Sequence, residues 1–204
     1  MPALAIIIGY LLGSIPFAYI AGRLIKGVDI RKIGGGNVGA LNVMREVGTA
    51  AGIGVLLADV AKGALAVLSA QWLGVAPIFV FLAGFAAVVG HIWSVSLGFK
   101  GGGGIATTLG VFLALLPAEL LISFAIIVLV VLITSNVRLG AVIGLALLPV
   151  IVWAFGGALD LVLFSLLLPL FIGLRAIPEF KKSFASNRKN FIIDHKYKLW
   201  QRRK

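Results

Sequence analysis

Seven long apolar stretches constrain the fold of this chain more than any other feature of its sequence. They cover residues 3–25, 51–73, 76–97, 104–117, 119–134, 139–156 and 158–177. Several approach the roughly 20 residues with which an α-helix crosses a hydrocarbon core. Hydrophobic residues make up 61% of the 204 residues and charged residues 12%, whereas soluble domains are about half apolar and about a quarter charged. The sequence therefore predicts an all-α polytopic membrane protein.

The fourth and fifth stretches are short, and one long helix over residues 105–134 is the alternative. That helix would be roughly 45 Å long at about 1.5 Å per residue. Pro117 and Glu119 interrupt it near its middle. A proline inside a helix removes a hydrogen bond and clashes with the preceding turn, so the sequence favours two helices joined by a tight hairpin.

The distribution of Lys and Arg decides between seven and six spans. The chain carries 18 basic and 7 acidic residues, a net charge of +11. With seven spans and the N-terminus outside, the inner segments contain Lys26, Arg31, Lys32, Arg45, Lys100, Arg138 and the tail. The outer turns contain Glu119 and Asp160 and no cation. With six spans, the nine basic residues after Pro178 would lie outside. The positive-inside rule therefore predicts seven transmembrane helices and a cytoplasmic C-terminus.

The same reasoning predicts one membrane domain over residues 1–204, with a basic cytoplasmic tail at 178–204. The net charge reflects membrane orientation, so we expect no nucleic-acid partner. Cysteine is absent, and His91 and His195 stand outside any metal-ligand motif; no metal site is expected. The first apolar stretch has no cationic segment before it, so we interpret it as a retained helix.

Two glycine-rich polar segments interrupt this apolar background. The first glycine loop, residues 33–43, has the sequence IGGGNVGALNV and is followed by Arg45. Successive backbone N–H groups can form an anion-binding nest. The first loop therefore predicts phosphate binding through Gly34, Gly35, Gly36, Asn37, Asn42 and Arg45. The alternative is a plain interhelical connection whose Arg45 only follows the positive-inside rule.

The second glycine loop, residues 99–109, has the sequence FKGGGGIATTL and leads into the fourth apolar stretch. A helix N-terminus is a favourable anion site. Here the candidate ligand residues are Lys100, Gly101, Gly102, Gly104 and Thr107. The alternative is a hinge between two helices. Both loops fall on the predicted cytoplasmic side.

Three ionisable residues lie within or near the spans. Asp59 and Lys62 stand three residues apart in the second stretch, so they can pair. Intramembrane charges often mark a site, but a structural pair that fixes helix packing is equally consistent. His91 precedes the second glycine loop and is a candidate base or phosphate donor; a packed, hydrogen-bonded histidine is the alternative. Ser14 and Pro16 predict a kinked first helix with a serine back-bond.

Five ordered motifs make the chain similar to a known family. They are YLLGSIPFAYIAGRL at 10–24, GGGNVGALN with Arg45, DVAKG at 59–63, GH at 90–91 and GFKGGGGIAT at 98–107. Along its whole length the chain resembles the bacterial membrane acyl-phosphate:glycerol-3-phosphate acyltransferases of the PlsY type. The resemblance implies acyl transfer from acyl phosphate to glycerol 3-phosphate, giving lysophosphatidic acid and phosphate for phospholipid synthesis.

The resemblance also implies a multi-pass protein of the bacterial inner membrane with a cytoplasmic site, without a cofactor or an obligate protein partner. Asn37, Arg45 and Lys100 match residues of the family motifs, and together with His91, our candidate base or orienting group, they are the predicted catalytic residues. A third motif in the tail adds Arg188 and Asn190 as substrate-binding residues.

The chain departs from the family pattern at five positions. Gly35 and Leu41 replace a serine and a threonine, Gly103 replaces a lysine, Ser94 replaces a proline and Asn187 replaces a histidine. These losses motivate a second hypothesis, a non-catalytic or altered-specificity paralogue that binds a lipid phosphate or another anionic solute. A small transporter is a third hypothesis, but the few spans and the absence of a visible inverted repeat argue against it.

Overall fold

The computed structural model describes the backbone of residues 1–135 and 137–185, and the side chains of these except Arg138, Ala176 and residues 178–185. The tail residues Arg188 and Asn190, which the resemblance singled out, lie outside the described residues. The described helices are α1 Pro2–Gly13, α2 Phe17–Lys26, α3 Ala40–Glu46, α4 Thr49–Trp72, α5 Pro77–Ile92, α6 Ile105–Leu115, α7 Pro117–Thr134, α8 Val137–Ala154 and α9 Leu159–Ala185. Two 3₁₀ turns cover Ile30–Lys32 and Val95–Leu97.

The all-helical prediction is confirmed, because every predicted apolar stretch is helical. Within the described part of the chain, four segments are long and apolar enough to cross a membrane; they are Pro2–Lys26, Thr49–Trp72, Pro77–Leu97 and Pro117–Thr134. Ile105–Leu115 and Leu139–Ala154 are shorter apolar helices. The interruption near Pro117 is confirmed, since α6 ends at Leu115 and α7 begins at Pro117. The count of seven spans and the orientation of the termini stay predictions.

The first apolar stretch is two helices rather than one kinked helix. α1 ends at Gly13, and Pro16 has φ −94° and ψ 68°, outside the helical region. α2 ends at Gly27, whose φ of +68° is the left-handed conformation that commonly terminates helices. The break places the Ile15 carbonyl outside regular helix, where a side chain from another helix can reach it.

Residues Met1–Leu115 form one compact unit, in which small residues let helix backbones touch. α1 packs against α5, and a Cβ on Gly9 or Gly13 would overlap the backbone of Ala83 or Ala87. α4 packs in the same way against α6, through glycines at the contact. In lipid, where apolar burial gives helices little reason to associate, such close packing is a principal source of cohesion.

The second compact unit begins at Leu116. Within it, α8 packs against α7 and α9. Gly140 and Gly144 of α8 approach Ile127 of α7, and the Ser123 hydroxyl donates to the Gly144 carbonyl at 2.8 Å. All predicted site residues with described side chains lie in the first unit, so the site is described there alone.

Candidate active site

Asn42 holds the first glycine loop in shape. It lies in α3 and is 4% exposed. Its Nδ2 donates to the carbonyls of Ile30, Ile33 and Asn37 at 3.0, 3.2 and 3.1 Å, and its Oδ1 accepts from the Gly35 N–H at 3.0 Å. One buried amide therefore contacts three backbone groups of the loop and one of the 3₁₀ turn ahead of it. Substrate binding by Asn42 stays a prediction.

The glycines of the first loop are not equivalent. Gly34 and Gly36 have φ of +57° and +69°, a region that L-residues other than glycine rarely occupy. A Cβ on Gly34 would also overlap the Asn42 Oδ1, whereas the nearest atom to a Cβ on Gly35 is that same oxygen at 4.0 Å. The loop therefore requires glycine at 34 and has room for a side chain at 35.

A charged clamp that the sequence analysis missed precedes the first loop. Asp29 accepts from the Arg31 backbone N–H at 3.1 Å and from the Arg31 side chain at 3.0 and 2.8 Å. Arg23 lies 3.9 Å from the same carboxylate, and both guanidiniums lie over the Tyr19 ring. The side-chain hydrogen bond from Arg31 lowers the pKa of Asp29 to about 2. In the sequence, the Asp-x-Arg spacing ahead of the loop was the feature that could have indicated this ion pair.

The second glycine loop is anchored by backbone contacts to the end of α5. The Gly101 N–H donates to the Ile92 carbonyl at 2.9 Å, and the Gly102 N–H donates to the His91 carbonyl at 3.0 Å. A Cβ on Gly101 would overlap the His91 carbonyl. Glycine is therefore required because the loop backbone lies directly on the backbone of α5.

The two glycine loops meet at His91. A Cβ on Gly102, in the second loop, would overlap both the His91 Nε2 and the carbonyl oxygen of Val38, in the first loop. His91 itself is 7% exposed. The structure thus places His91 beside the second loop, as the chain order indicated, and brings the first loop to the same point.

Four glycine N–H groups of the two loops already have acceptors within the protein. The N–H groups of Gly35, Gly36, Gly101 and Gly102 all donate within the protein. The second loop nevertheless leads into α6, whose first internal hydrogen bond is donated by Thr108 to Gly104. The N–H groups ahead of Thr108 belong to a helix N-terminus, which is a favourable site for an anion.

The predicted ion pair between Asp59 and Lys62 is confirmed, with Nζ 2.8 Å from Oδ1 and exposures of 1% and 2%. Lys62 Nζ also donates to the Ile15 carbonyl at 2.9 Å and lies 5.7 Å from the centre of the Phe17 ring. The His91 Nδ1 is 3.6 Å from the same Asp59 oxygen. The buried pair therefore connects the break in the first span to His91.

The other predicted residues differ in their access to solvent. Lys100 and Arg45 are exposed, and Asn37 is half-buried. Gly104 has φ +88° and is buried against Ile92. Thr107 is fully buried at the start of α6, and its hydroxyl has no hydrogen-bond partner among the described residues. The two exposed cations are accessible to a charged ligand, whereas Thr107 lies beneath the surface.

Two serines tie α1 to the end of α5, and sequence reasoning missed both contacts. The buried Ser94 hydroxyl donates to the Ser14 carbonyl at 2.6 Å, and the Ser14 hydroxyl donates to the Gly90 carbonyl at 3.4 Å. The predicted back-bond of Ser14 within its own helix is therefore wrong. Tyr10 strengthens the same seam by donating to the Trp93 carbonyl at 2.8 Å. Ser94 replaces the proline of the family pattern, and that departure was the only signal for this contact.

These elements enclose a pocket between the broken first span, α4, the end of α5 and both loops. Its lining comprises Gly13, Ile15, Pro16, Phe17, Ala18, Val38, Asp59, Lys62, His91, Ser94, Leu97 and Gly101. Most of these residues are apolar, and the polar side chains are those of Asp59, Lys62, His91 and Ser94. The second loop, which contributes Gly101, leads into the N-terminus of α6, and a helix N-terminus suits an anion such as a phosphate.

Comparison with known proteins finds relatives whose names also include a phosphate compound, glycerol 3-phosphate. A family model described as "Glycerol-3-phosphate acyltransferase" matches residues 3–186. Glycerol-3-phosphate acyltransferase 1 of Dehalococcoides mccartyi is 44% identical over 207 residues, covering 98% of each chain. Glycerol-3-phosphate acyltransferase 2 of Moorella thermoacetica is 46% identical over 162 residues, covering 79% of this chain and 83% of its own.

Two solved structures of PlsY (YgiH), an integral membrane glycerol 3-phosphate acyltransferase, resemble this chain. The glycerol 3-phosphate form has a TM-score of 0.86 at 31% identity and covers 98% of this chain and 99% of its own. The lysophosphatidic acid form has a TM-score of 0.81 at 31% identity and covers 91% and 92%. The resemblance inferred from the five motifs is confirmed. The chain belongs to the glycerol-3-phosphate acyltransferase family and has the all-helical fold of an integral membrane acyltransferase.

Proposed function

We propose that this protein transfers an acyl group from an acyl phosphate to the first hydroxyl of glycerol 3-phosphate, forming lysophosphatidic acid and phosphate. The observation that carries the proposal is the meeting of the two glycine loops at His91. Two polar loops at one point suit a reaction between two substrates that each carry a phosphate. The names of the relatives and the two ligand forms of PlsY support the acceptor and the product.

In the proposed site, the start of α6 and the exposed Lys100 and Arg45 bind the two phosphates. Cations and helix N-terminal N–H groups stabilise phosphate oxygens by charge-assisted hydrogen bonds. Further contacts come from the predicted residues Gly34, Asn37, Arg188 and Asn190, whereas the buried Gly104 and Thr107 shape the start of α6. Holding two anionic substrates in reactive geometry supplies much of the rate in such a reaction.

The chemical step is a direct acyl transfer. The glycerol hydroxyl oxygen attacks the acyl carbonyl carbon, and the bond from that carbon to the phosphate oxygen breaks. N–H groups at the start of α6 stabilise the developing oxyanion. The hydroxyl proton passes either to His91 or to the departing phosphate, so His91 is a base in the first case and an orienting donor in the second.

The proposed setting is the bacterial inner membrane, with seven spans, the N-terminus outside and the site on the cytoplasmic side. The charge distribution supports this orientation. In this proposal the acyl chain extends into the bilayer. No cofactor, nucleic acid or obligate protein partner is part of the proposal.

The test is incubation of purified protein in nanodiscs with palmitoyl phosphate and glycerol 3-phosphate, with lysophosphatidic acid as the readout. Lys100→Ala removes an exposed cation of the proposed site, and Lys32→Ala removes an exposed lysine to which the proposal gives no role. We expect product from the parent and the Lys32 variant and a large loss in the Lys100 variant. The proposal is disproved if the parent protein forms no more lysophosphatidic acid than the Lys100→Ala variant.

The second candidate is a paralogue that binds a lipid phosphate or another anionic solute without this turnover. The departures at Gly35, Leu41 and Gly103 favour it. The structure has room for the missing side chains, since a Cβ on Gly103 has no atom within 4 Å and Leu41 is 40% exposed. An inactive parent that gains turnover in the triple variant Gly35→Ser, Leu41→Thr, Gly103→Lys would establish this candidate.

A further inference from the structure

The turn between α5 and α6, residues 93–99, exposes apolar side chains directly beside Lys100. Trp93, Val95 and Phe99 are 39%, 49% and 60% exposed, and Lys100, which follows them, is exposed as well. Backbone hydrogen bonds fix the turn, since the Phe99 N–H donates to the Ser94 carbonyl at 2.8 Å. The chain therefore holds an apolar surface and a cation side by side at a defined place.

Phe99 adopts a backbone conformation that glycine adopts more easily. Its φ is +63°, and among the described residues Ser135 is the one other non-glycine residue with a positive φ. This left-handed conformation costs free energy in any residue with a Cβ. Glycine occupies position 98 and positions 101–104, yet position 99 carries a phenylalanine. Such strain is found at functional positions, and burial in the protein does not explain it, because the ring is mostly exposed.

The turn lies at the end of a segment that is long enough to cross a membrane. That segment, Pro77–Leu97, has 21 residues, and about 20 residues cross the hydrocarbon core of a bilayer. Phe99 and Lys100 follow it directly, so they fall at the boundary between lipid and water. Aromatic and aliphatic side chains beside a lysine are typical of segments that lie in this boundary.

We propose that the turn is a membrane anchor, in which Trp93, Val95 and Phe99 insert between the lipid headgroups and hold the second glycine loop at the bilayer surface. The partner is the lipid bilayer, which matches the turn in apolar surface and, through its anionic headgroups, in charge, since Lys100 extends toward the lipid phosphates. Removing the exposed ring from water offsets the cost of its backbone conformation. The anchor does not depend on the proposed reaction.

The depth of the turn in the bilayer tests the proposal. The chain contains no cysteine, so a single introduced cysteine can carry a nitroxide label. Val95→Cys labels the turn and keeps Phe99, and Gly103→Cys is the matched control in the same loop, because its Cβ has no atom within 4 Å. In nanodiscs of phosphatidylcholine and phosphatidylglycerol, EPR measures the access of oxygen, which concentrates in the bilayer, and of a nickel chelate, which stays in water. We expect oxygen to dominate at position 95 and the chelate at position 103.

Phe99→Gly separates anchoring from packing. Glycine adopts φ +63° without strain, so the unfolding midpoint in detergent should stay the same or rise, whereas the loss of a packed ring would lower it. In nanodiscs, the label at position 95 should become more accessible to the nickel chelate in Phe99→Gly. It should keep its depth in Phe99→Tyr, which retains an aromatic ring.

Equal ratios of oxygen to chelate access at positions 95 and 103 would overturn the proposal. A label at position 95 that is shielded from both reagents would also overturn it, because protein would then cover the turn, and so would a lower midpoint of Phe99→Gly in detergent. None of these measurements requires turnover. A parent without acyl transfer disproves the proposed reaction, while the label depth still decides whether the turn anchors the loop.

Discussion

The first glycine loop is held by a side chain, whereas the second is held by backbone contacts. In the first, the buried Asn42 amide binds four backbone groups. In the second, Gly101 and Gly102 donate to the last carbonyls of α5, and no side chain of the loop takes part in these bonds. Two segments of similar composition therefore reach a fixed shape by opposite means.

This difference predicts opposite sensitivities to mutation. The first loop should fail when a side chain is removed, because the buried backbone groups lose their partner. The second should fail when a side chain is added, because there is no space between it and α5. Four substitution experiments test the comparison, in order of decreasing expected effect.

Adding one methyl group to the second loop should have the largest effect. In Gly102→Ala the Cβ would overlap His91 Nε2 and the Val38 carbonyl. Displacement of either loop by about 1 Å costs roughly 10²-fold in rate. Gly103→Ala is the matched control, since its Cβ has no atom within 4 Å. We expect kcat/KM for acyl transfer to fall strongly in Gly102→Ala and to change little in Gly103→Ala. Equal activity of the two variants would contradict the close contact of Gly102 with His91 and Val38.

Removing the central side chain of the first loop should cost stability. Asn42→Ala leaves the Gly35 N–H and three carbonyls without their partner. We expect a loss of about 1–3 kcal/mol, measured as a lower unfolding midpoint in detergent. Leu41→Ala, at an exposed neighbour, should change the midpoint little. A stable Asn42 variant would show that the loop is held by other contacts.

Within the first loop, the adjacent Gly34 and Gly35 should differ in their tolerance of a side chain. Gly34→Ala forces an alanine to φ +57° against Asn42 and should cost about 1–2 kcal/mol. Gly35→Ala has room and should be close to neutral. Unfolding midpoints of the two variants, measured side by side, check the order; the reverse order would contradict the loop geometry.

The smallest effect should come from the clamp ahead of the first loop. The pKa of Asp29 is lowered from 3.8 to about 2. A lowered carboxyl pKa means that the contribution to stability is complete above about pH 4 and is lost as the pH falls through about 2. Asp29→Asn should therefore make the unfolding midpoint less dependent on pH over that range. The parent protein, measured over the same pH range, is the comparison; equal pH dependence of the two unfolding midpoints would contradict the clamp.

The apolar stretches and the Pro117 interruption were predictable because they depend on local composition and on the missing proline N–H. The Asp59–Lys62 pair was predictable for a similar reason, since residues three apart on a helix are neighbours. The contact between Ser94 and Ser14 was not, because it joins residues 80 positions apart. The hydrogen bonds from the Gly101 and Gly102 N–H groups to the end of α5 were missed for another reason, since they depend on the loop folding back onto the helix that precedes it.

The sequence by itself determined an all-helical membrane protein, its family, and the two loops that form the candidate site. These follow from composition, periodicity and short motifs, which are local properties of the chain. Only the tertiary structure decided that both loops meet at His91 and that Asn42 holds one of them from inside. It also decided that the ion pair lies between the broken first span and His91. These arrangements depend on which helix backbones approach closely enough to touch, and packing across distant segments sets that approach.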